Sequence, residues 1–221
     1  MTRTLKALSA LLSYPSTPLQ EAAADIGIVL AAEGVLSPDA ASGIAPLIAG
    51  LASRDVYDLE EEYVFLFDRS RSLSLNLFEH VHGESRDRGQ AMVDLLETYR
   101  AGGFDLAASE LPDHLPVLLE FLATRPLAEA REMLGDAAHI LAALAHRLKA
   151  RDSAYAGVFD ALVELAAEQP DAEALDALKA EAFDDPTDLA ALDAVWEETA
   201  VTFGPDPNAG CPATRDLLAR M

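Results

Sequence analysis

The segment LAEAREMLGDAAHILAALAHRL, Leu127 to Leu148, decides the fold class, because its apolar residues Leu127, Ala130, Leu134, Ala137, Leu141, Leu144 and Leu148 advance in alternating steps of three and four. That spacing lines one face of an α-helix and is incompatible with the two-residue period of a strand. Pro126 suits a first helical turn, and Arg147, Lys149 and Arg151 suit the negative end of the helix dipole, so a single helix is expected across the segment.

The same period recurs outward in both directions. Leu5, Leu8 and Leu12 open the chain, and Val56, Leu59, Tyr63, Leu66 and Phe67 follow Asp55, a good N-cap residue. Met92, Leu95, Leu96 and Tyr99 form a stripe behind Ser85, a second candidate cap, and Gly102-Gly103 supplies the expected stop. Leu115, Leu118, Leu119 and Leu122 form another stripe, and Val158, Phe159, Leu162 and Leu165 one more. No segment alternates as a strand would. The expectation is an all-α, compact multi-helix domain, with no fixed-period repeat that would suggest an open solenoid.

Beyond Leu165 the pattern breaks at Pro170, Pro186 and clustered aspartates. Residues 160–200 carry thirteen acidic side chains against one lysine, twelve of the net 22 negative charges of the 221-residue chain. Leu189, Leu192, Val195 and Trp196 could dock a late helix, whereas residues 203–212 are turn chemistry. The division expected is a helical domain over 1–200 and a mobile tail over 201–221, with the acidic C-terminal region partly irregular.

Composition narrows the partners. Sixteen basic residues against 38 acidic ones make an anionic surface that repels a nucleic-acid backbone and attracts basic protein segments. The longest charge-free runs, Ala7 to Gln20 and Ala40 to Ser53, fall short of the roughly 20 apolar residues of a spanning helix, so no membrane insertion is expected. Cys211 is the only cysteine, which rules out an internal disulfide and the usual cysteine-based zinc site. A cytoplasmic location fits.

The least ordinary stretch is Glu79-His80-Val81-His82-Gly83-Glu84-Ser85-Arg86-Asp87-Arg88-Gly89, a polar, glycine-punctuated run. His80, His82 and Glu84 are residue types that ligate zinc or iron, so a small helical metalloenzyme is one reading. The other is a loop organised by Arg-carboxylate pairs, with Arg86 and Arg88 holding Glu84 or Asp87. No nucleophile elbow, phosphate loop or dinucleotide fingerprint is present. In Glu110-Leu-Pro-Asp-His-Leu-Pro-Val-Leu-Leu-Glu120, Asp113 is expected to cap a helix whose first turn holds Pro116. The alternative places Asp113 and His114 at an exposed helix mouth, binding a cationic peptide.

Taken together, Glu61-Glu62-Tyr63-Val64-Phe65-Leu66-Phe67-Asp68, the run from Leu77 through His80-Val81-His82-Gly83-Glu84-Ser85-Arg86-Asp87-Arg88-Gly89 to Met92, and Leu111-Pro112-Asp113-His114-Leu115-Pro116 closely resemble the NarJ-type nitrate reductase assembly chaperones. The resemblance is densest between Glu61 and Leu122. Here Pro112 directly precedes Asp113, a departure from the Pro-x-Asp-His spacing of the wider redox-enzyme maturation chaperones.

The resemblance implies an all-helical, non-enzymatic protein that carries no cofactor or metal of its own. It implies binding of the N-terminal segment of the apo catalytic (alpha) subunit of respiratory nitrate reductase, kept competent for molybdenum cofactor insertion and membrane docking. Molybdenum cofactor delivery proteins are a further partner class under the same resemblance. The client-binding residues it suggests are Phe67, His80, His82, Glu84, Arg86, Asp87, Arg88, Asp113 and His114. A generic acidic peptide-binding adaptor remains the third alternative.

Overall fold

Side-chain caps start the early helices where the sequence offers them. In the computed structural model, which describes residues 2–82, 86–106 and 110–180 (apart from the side chains of His82 and Arg86), α1 spans Arg3–Leu11 and α2 Thr17–Glu33. Ser16 Oγ accepts from the Leu19 amide at 3.4 Å to cap α2, and Ser37 Oγ accepts from Ala40 N at 3.2 Å to cap α3 (Pro38–Ser53). Asp55 Oδ1 accepts from Tyr57 N at 2.9 Å and caps α4 (Val56–Tyr63), as expected. The head of α1 has no cap of its own. Glu33, at the far end of α2, receives the Arg3 amide at 3.0 Å together with the amide and hydroxyl of Thr4.

After α4 the chain winds into a π-helical turn, Val64–Asp68, and a short 3-10 turn, Arg71–Leu73. Then come α5 (Glu79–His82), α6 (Arg86–Ala101), α7 (Leu115–Ala123), α8 (Leu127–Asp136), α9 (Ala138–Ala150), α10 (Ala156–Leu165) and α11 (Ala172–Ala180). Among the described residues the only strand-like pairing is an isolated antiparallel bridge between Asn76 and His114. The all-α expectation holds. Gly103, at φ 74°, ends α6 with Phe104 N donating to Tyr99 O at 2.9 Å, the stop read from Gly102-Gly103.

Helix α1 packs on α2 and α7, α3 packs on α2 and α10, and α9 packs on α10 and α11. The apolar stripes meet in one core that includes Leu5, Leu8, Leu12, Leu115, Leu119, Leu141, Leu144, Phe159 and Leu162, all fully buried. Where α10 crosses α3 the backbones touch. A Cβ on Gly157 would lie 2.1 Å from Gly43 O, so only glycine fits there.

Two expectations about the deciding segment are corrected. It is two helices, broken at Ala137 (φ −98°, ψ 2°), because α8 packs against α7 and α10 while α9 packs against α10 and α11. One straight rod could not bury both halves. Arg147 does not serve the helix dipole at the surface; it is 1% exposed, and its guanidinium donates to Ser72 O at 2.7 Å and to Leu178 O.

No helix among the described residues is long and apolar enough to cross a membrane. The proposed boundary at residue 200 and the tail over 201–221 lie outside the described residues.

Candidate functional site

The π-helical turn positions the first functional group. One extra residue in the turn shifts the side-chain register, so Leu66 and Phe67 stay buried while Asp68 is presented outward. Asp68 lines a cleft of about 440 Å³, within the range of ligand clefts. Ser9 and Ser13 of the α1 region form one side and Pro116, Val117 and Glu120 of α7 another, with Tyr14, Tyr63, Asp68, Glu110 and His114 completing it.

A hydrogen bond and a ring contact hold the aromatic part of the wall. Tyr63 donates its hydroxyl to Leu12 O at 2.9 Å and meets Tyr14 edge-on, ring centroids 5.5 Å apart. Tyr14 remains 49% exposed, an aromatic face open to solvent. Ser9 Oγ donates to Pro116 O at 2.7 Å, tying α1 to α7 across the floor. Glu120 at the rim pairs with Lys6.

Electrostatically the cleft suits a cation. Burial pushes the Asp68 carboxyl above the ordinary carboxylate range and nearby Glu110 adds to the shift, while His114 opposes it. Burial likewise holds the His114 imidazole below its usual value, against the pull of Glu110 and Asp68. His114 Nδ1 lies 3.9 Å from Glu110 Oε2, too long for a hydrogen bond, and has no hydrogen-bond partner among the described residues. Three carboxylates, those of Asp68, Glu110 and Glu120, thus share the cleft with the His114 imidazole and the exposed ring of Tyr14.

The residues expected from the sequence are distributed unevenly around this cleft. His114 is in its wall. Phe67 is not: it is 6% exposed and packed between Tyr63 and Tyr155, with ring centroids at 4.9 and 5.1 Å. Asp113 is fully buried, which corrects the exposed-mouth reading, and it does not cap α7. In the first turn of α7, Pro116 has no amide and Leu115 N is already bonded to Leu75 O at 2.9 Å. The Asp113 carboxylate instead accepts from Phe78 N at 2.9 Å.

His80 Nε2 lies 2.9 Å from Ser74 O, and Arg88 donates to Glu79 at 3.0 Å, the kind of pair expected for this loop with a different carboxylate. Asp87 is exposed in the first turn of α6. Glu84 and Ser85, and the side chains of His82 and Arg86, lie outside the described residues. Among the described residues no three His, Cys, Asp or Glu side chains group as a metal site. Sequence reasoning missed Tyr14, Asp68, Glu110 and Glu120 as site residues. Asp68 ends the quoted block Glu61–Asp68, and a carboxylate closing an aromatic helix was the one signal available.

The model of the nitrate reductase delta subunit family matches residues 33–161. The chain belongs to that family. The match holds Tyr63, Asp68, Glu110, His114 and Glu120 of the cleft, and Ser9, Ser13 and Tyr14 precede it. The nitrate reductase molybdenum cofactor assembly chaperone NarJ of Escherichia coli strain K12 is 46% identical over 204 residues, 92% of this chain and 86% of the relative. NarW of the same strain is 40% identical, over 95% of this chain and 87% of its own length. The crystal structure of a candidate redox enzyme maturation protein from Archaeoglobus fulgidus superposes with a TM-score of 0.52 at 24% identity, covering 74% of this chain and 92% of that one, a likeness of fold.

Proposed function

We propose that this protein is a chaperone for molybdenum cofactor assembly of nitrate reductase, that it works in the cytoplasm, and that it catalyses no reaction. It binds the N-terminal segment of the apo catalytic subunit and keeps that subunit competent for cofactor insertion and membrane docking. The observation that carries the reading is the cleft itself, where Tyr14, braced by buried Tyr63, offers an exposed aromatic face and Asp68 and Glu110 offer negative charge to an incoming basic side chain.

An amphipathic client helix would lay apolar residues against the α1 and α7 side and place a lysine or arginine in the cleft. Apolar contact supplies affinity and the anionic surface supplies steering. Burying about 400 Å² of apolar client surface at about 25 cal/mol per Å² contributes on the order of 10 kcal/mol before ordering costs, which leaves a micromolar complex. Cofactor delivery proteins would meet the chaperone–client complex after the segment is held.

The test is the molybdenum content of the catalytic subunit produced with and without this chain. Loading that depends on the chain and falls in an Asp68→Asn, Glu110→Gln double variant supports the proposal. Full loading without the chain would overturn it. A generic adaptor would bind unrelated basic amphipathic peptides as tightly as the client segment, and the same comparison with a scrambled peptide separates the two.

A further inference from the structure

Two segments that are far apart in sequence are stitched together beside the cleft. Leu77 N donates to Asp113 O at 3.1 Å, Leu115 N donates to Leu75 O at 2.9 Å, and Asn76 pairs with His114 in the antiparallel bridge. At the centre of this seam the Asp113 carboxylate, with no exposure to solvent, receives the Phe78 amide.

Phe78 stands at the head of α5. The first bonds of that turn run from Glu79 N to Asn76 O at 3.1 Å and from His80 N to Leu77 O at 3.2 Å, and of these two acceptors Leu77 is bonded to Asp113 and Asn76 is paired with His114. Glu79 in turn receives Arg88 from the first turns of α6. On the other side of the seam, His114 follows Asp113 directly and faces the cleft. One buried carboxylate therefore sits between the cleft wall and the α5–α6 arm, whose Val81 and Val93 stand 53% and 49% exposed.

We propose that Asp113 is a positioning residue: from inside the fold it fixes the α5 segment against α7 and so shapes the client-binding surface without touching the client. The inference rests on the client-binding reading above. A residue with no solvent exposure cannot meet a docking peptide unless the seam opens, and its Oδ2 is already spent on a backbone donor. Its Oδ1 meets no hydrogen-bond geometry among the described residues, so the contact on which the proposal stands is the single acceptor oxygen facing Phe78 N.

The experiment compares Asp113→Asn, which keeps an acceptor, with Asp113→Ala, which removes it, in the full chain. Amide hydrogen exchange of residues 77–80 is measured alongside affinity for a synthetic peptide of the nitrate reductase catalytic subunit's N-terminus at several salt concentrations. In Asp113→Ala, exchange at Phe78 and Glu79 is expected to speed up and peptide Kd to rise, each by about tenfold, as a buried amide loses its partner. In Asp113→Asn both stay within about twofold of the parent, and the salt slope of binding is unchanged.

If Asp113→Asn loses affinity or salt slope while the 77–80 amides stay protected, the charge itself meets the client and the proposal is wrong. If Asp113→Ala frees those amides without changing affinity, α5 is no part of the client surface and the proposal is equally wrong. If the parent chain binds no peptide at all, the client reading fails separately. The exchange data then still decide whether Asp113 holds α5, and molybdenum loading of co-produced catalytic subunit decides whether that hold matters.

Discussion

Replacing Gly157 with alanine tests the packing on which the whole arrangement depends. The added Cβ would lie 2.1 Å from Gly43 O, 2.5 Å from Gly43 C and 3.1 Å from Ile44 N, all backbone atoms that cannot rotate away. Restoring ordinary contact, which begins near 3.4 Å, requires α3 and α10 to separate by about 1.3 Å. That movement loosens Ile44, Val158 and Phe159, each fully buried at this crossing. Overpacking of this kind costs about 3 kcal/mol, and alanine's better helix propensity returns at most about 1, leaving a net loss near 2 kcal/mol. For a domain of this size the midpoint of thermal unfolding should fall by about 4–8 °C. Gly27→Ala in α2 is the matched control, because its Cβ would sit 3.9 Å from Ile48 Cδ1 in ordinary contact. Propensity then governs, and that variant should melt slightly higher. Calorimetric melts of the two variants decide the matter: a Gly157→Ala midpoint equal to the parent's, or an equal loss in Gly27→Ala, would refute the reasoning.

Arg147→Leu should lower stability by about 3 kcal/mol, since it withdraws a buried donor from Ser72 O and Leu178 O, and proteolysis should reach α11 sooner; an unchanged melt with α11 still protected would contradict this. Burial holds the His114 pKa below its unfolded value near 6.5, so the unfolded chain takes up the proton first. Stability is therefore full above about pH 6.5 and declines as pH falls below it, and His114→Gln should flatten that decline; parallel urea midpoints from pH 7.5 to 5.5 would show that another group titrates. Asp68→Asn and Glu110→Gln should each weaken client-peptide binding by a few-fold, on the order of 0.5–1 kcal/mol for half-exposed charges, mainly by slowing association at low salt; equal association rates in parent and variants would remove the cleft from the encounter.

Periodicity made most of the helices legible. Stripes such as Leu115 to Leu122 and Val158 to Leu165 are buried on the faces the spacing indicates, and Asp55 and Gly102-Gly103 mark a start and a stop where local chemistry alone is enough. The departures come from packing that local pattern does not encode. The break at Ala137 follows from the different neighbours of α8 and α9, and Arg147 turns inward because the carbonyls of Ser72 and Leu178 await it. Asp113 looked like a cap because aspartate usually is one, yet Pro116 and Leu75 leave that first turn little to offer it. The cleft was harder still to foresee. Tyr14, Asp68 and the Glu110–His114 pair come from three separate segments, and the π-helical turn that aims Asp68 carries no signature in residue types.

The most direct measurement is titration calorimetry of the full chain with a synthetic peptide of the nitrate reductase catalytic subunit's N-terminus, repeated with the Asp68→Asn, Glu110→Gln double variant at unchanged helicity. One-to-one binding at a micromolar Kd, weakened about tenfold in the double variant, is the expected result. Absence of heat at high micromolar peptide, or identical binding by parent and double variant, would contradict the assignment of the client segment to this cleft.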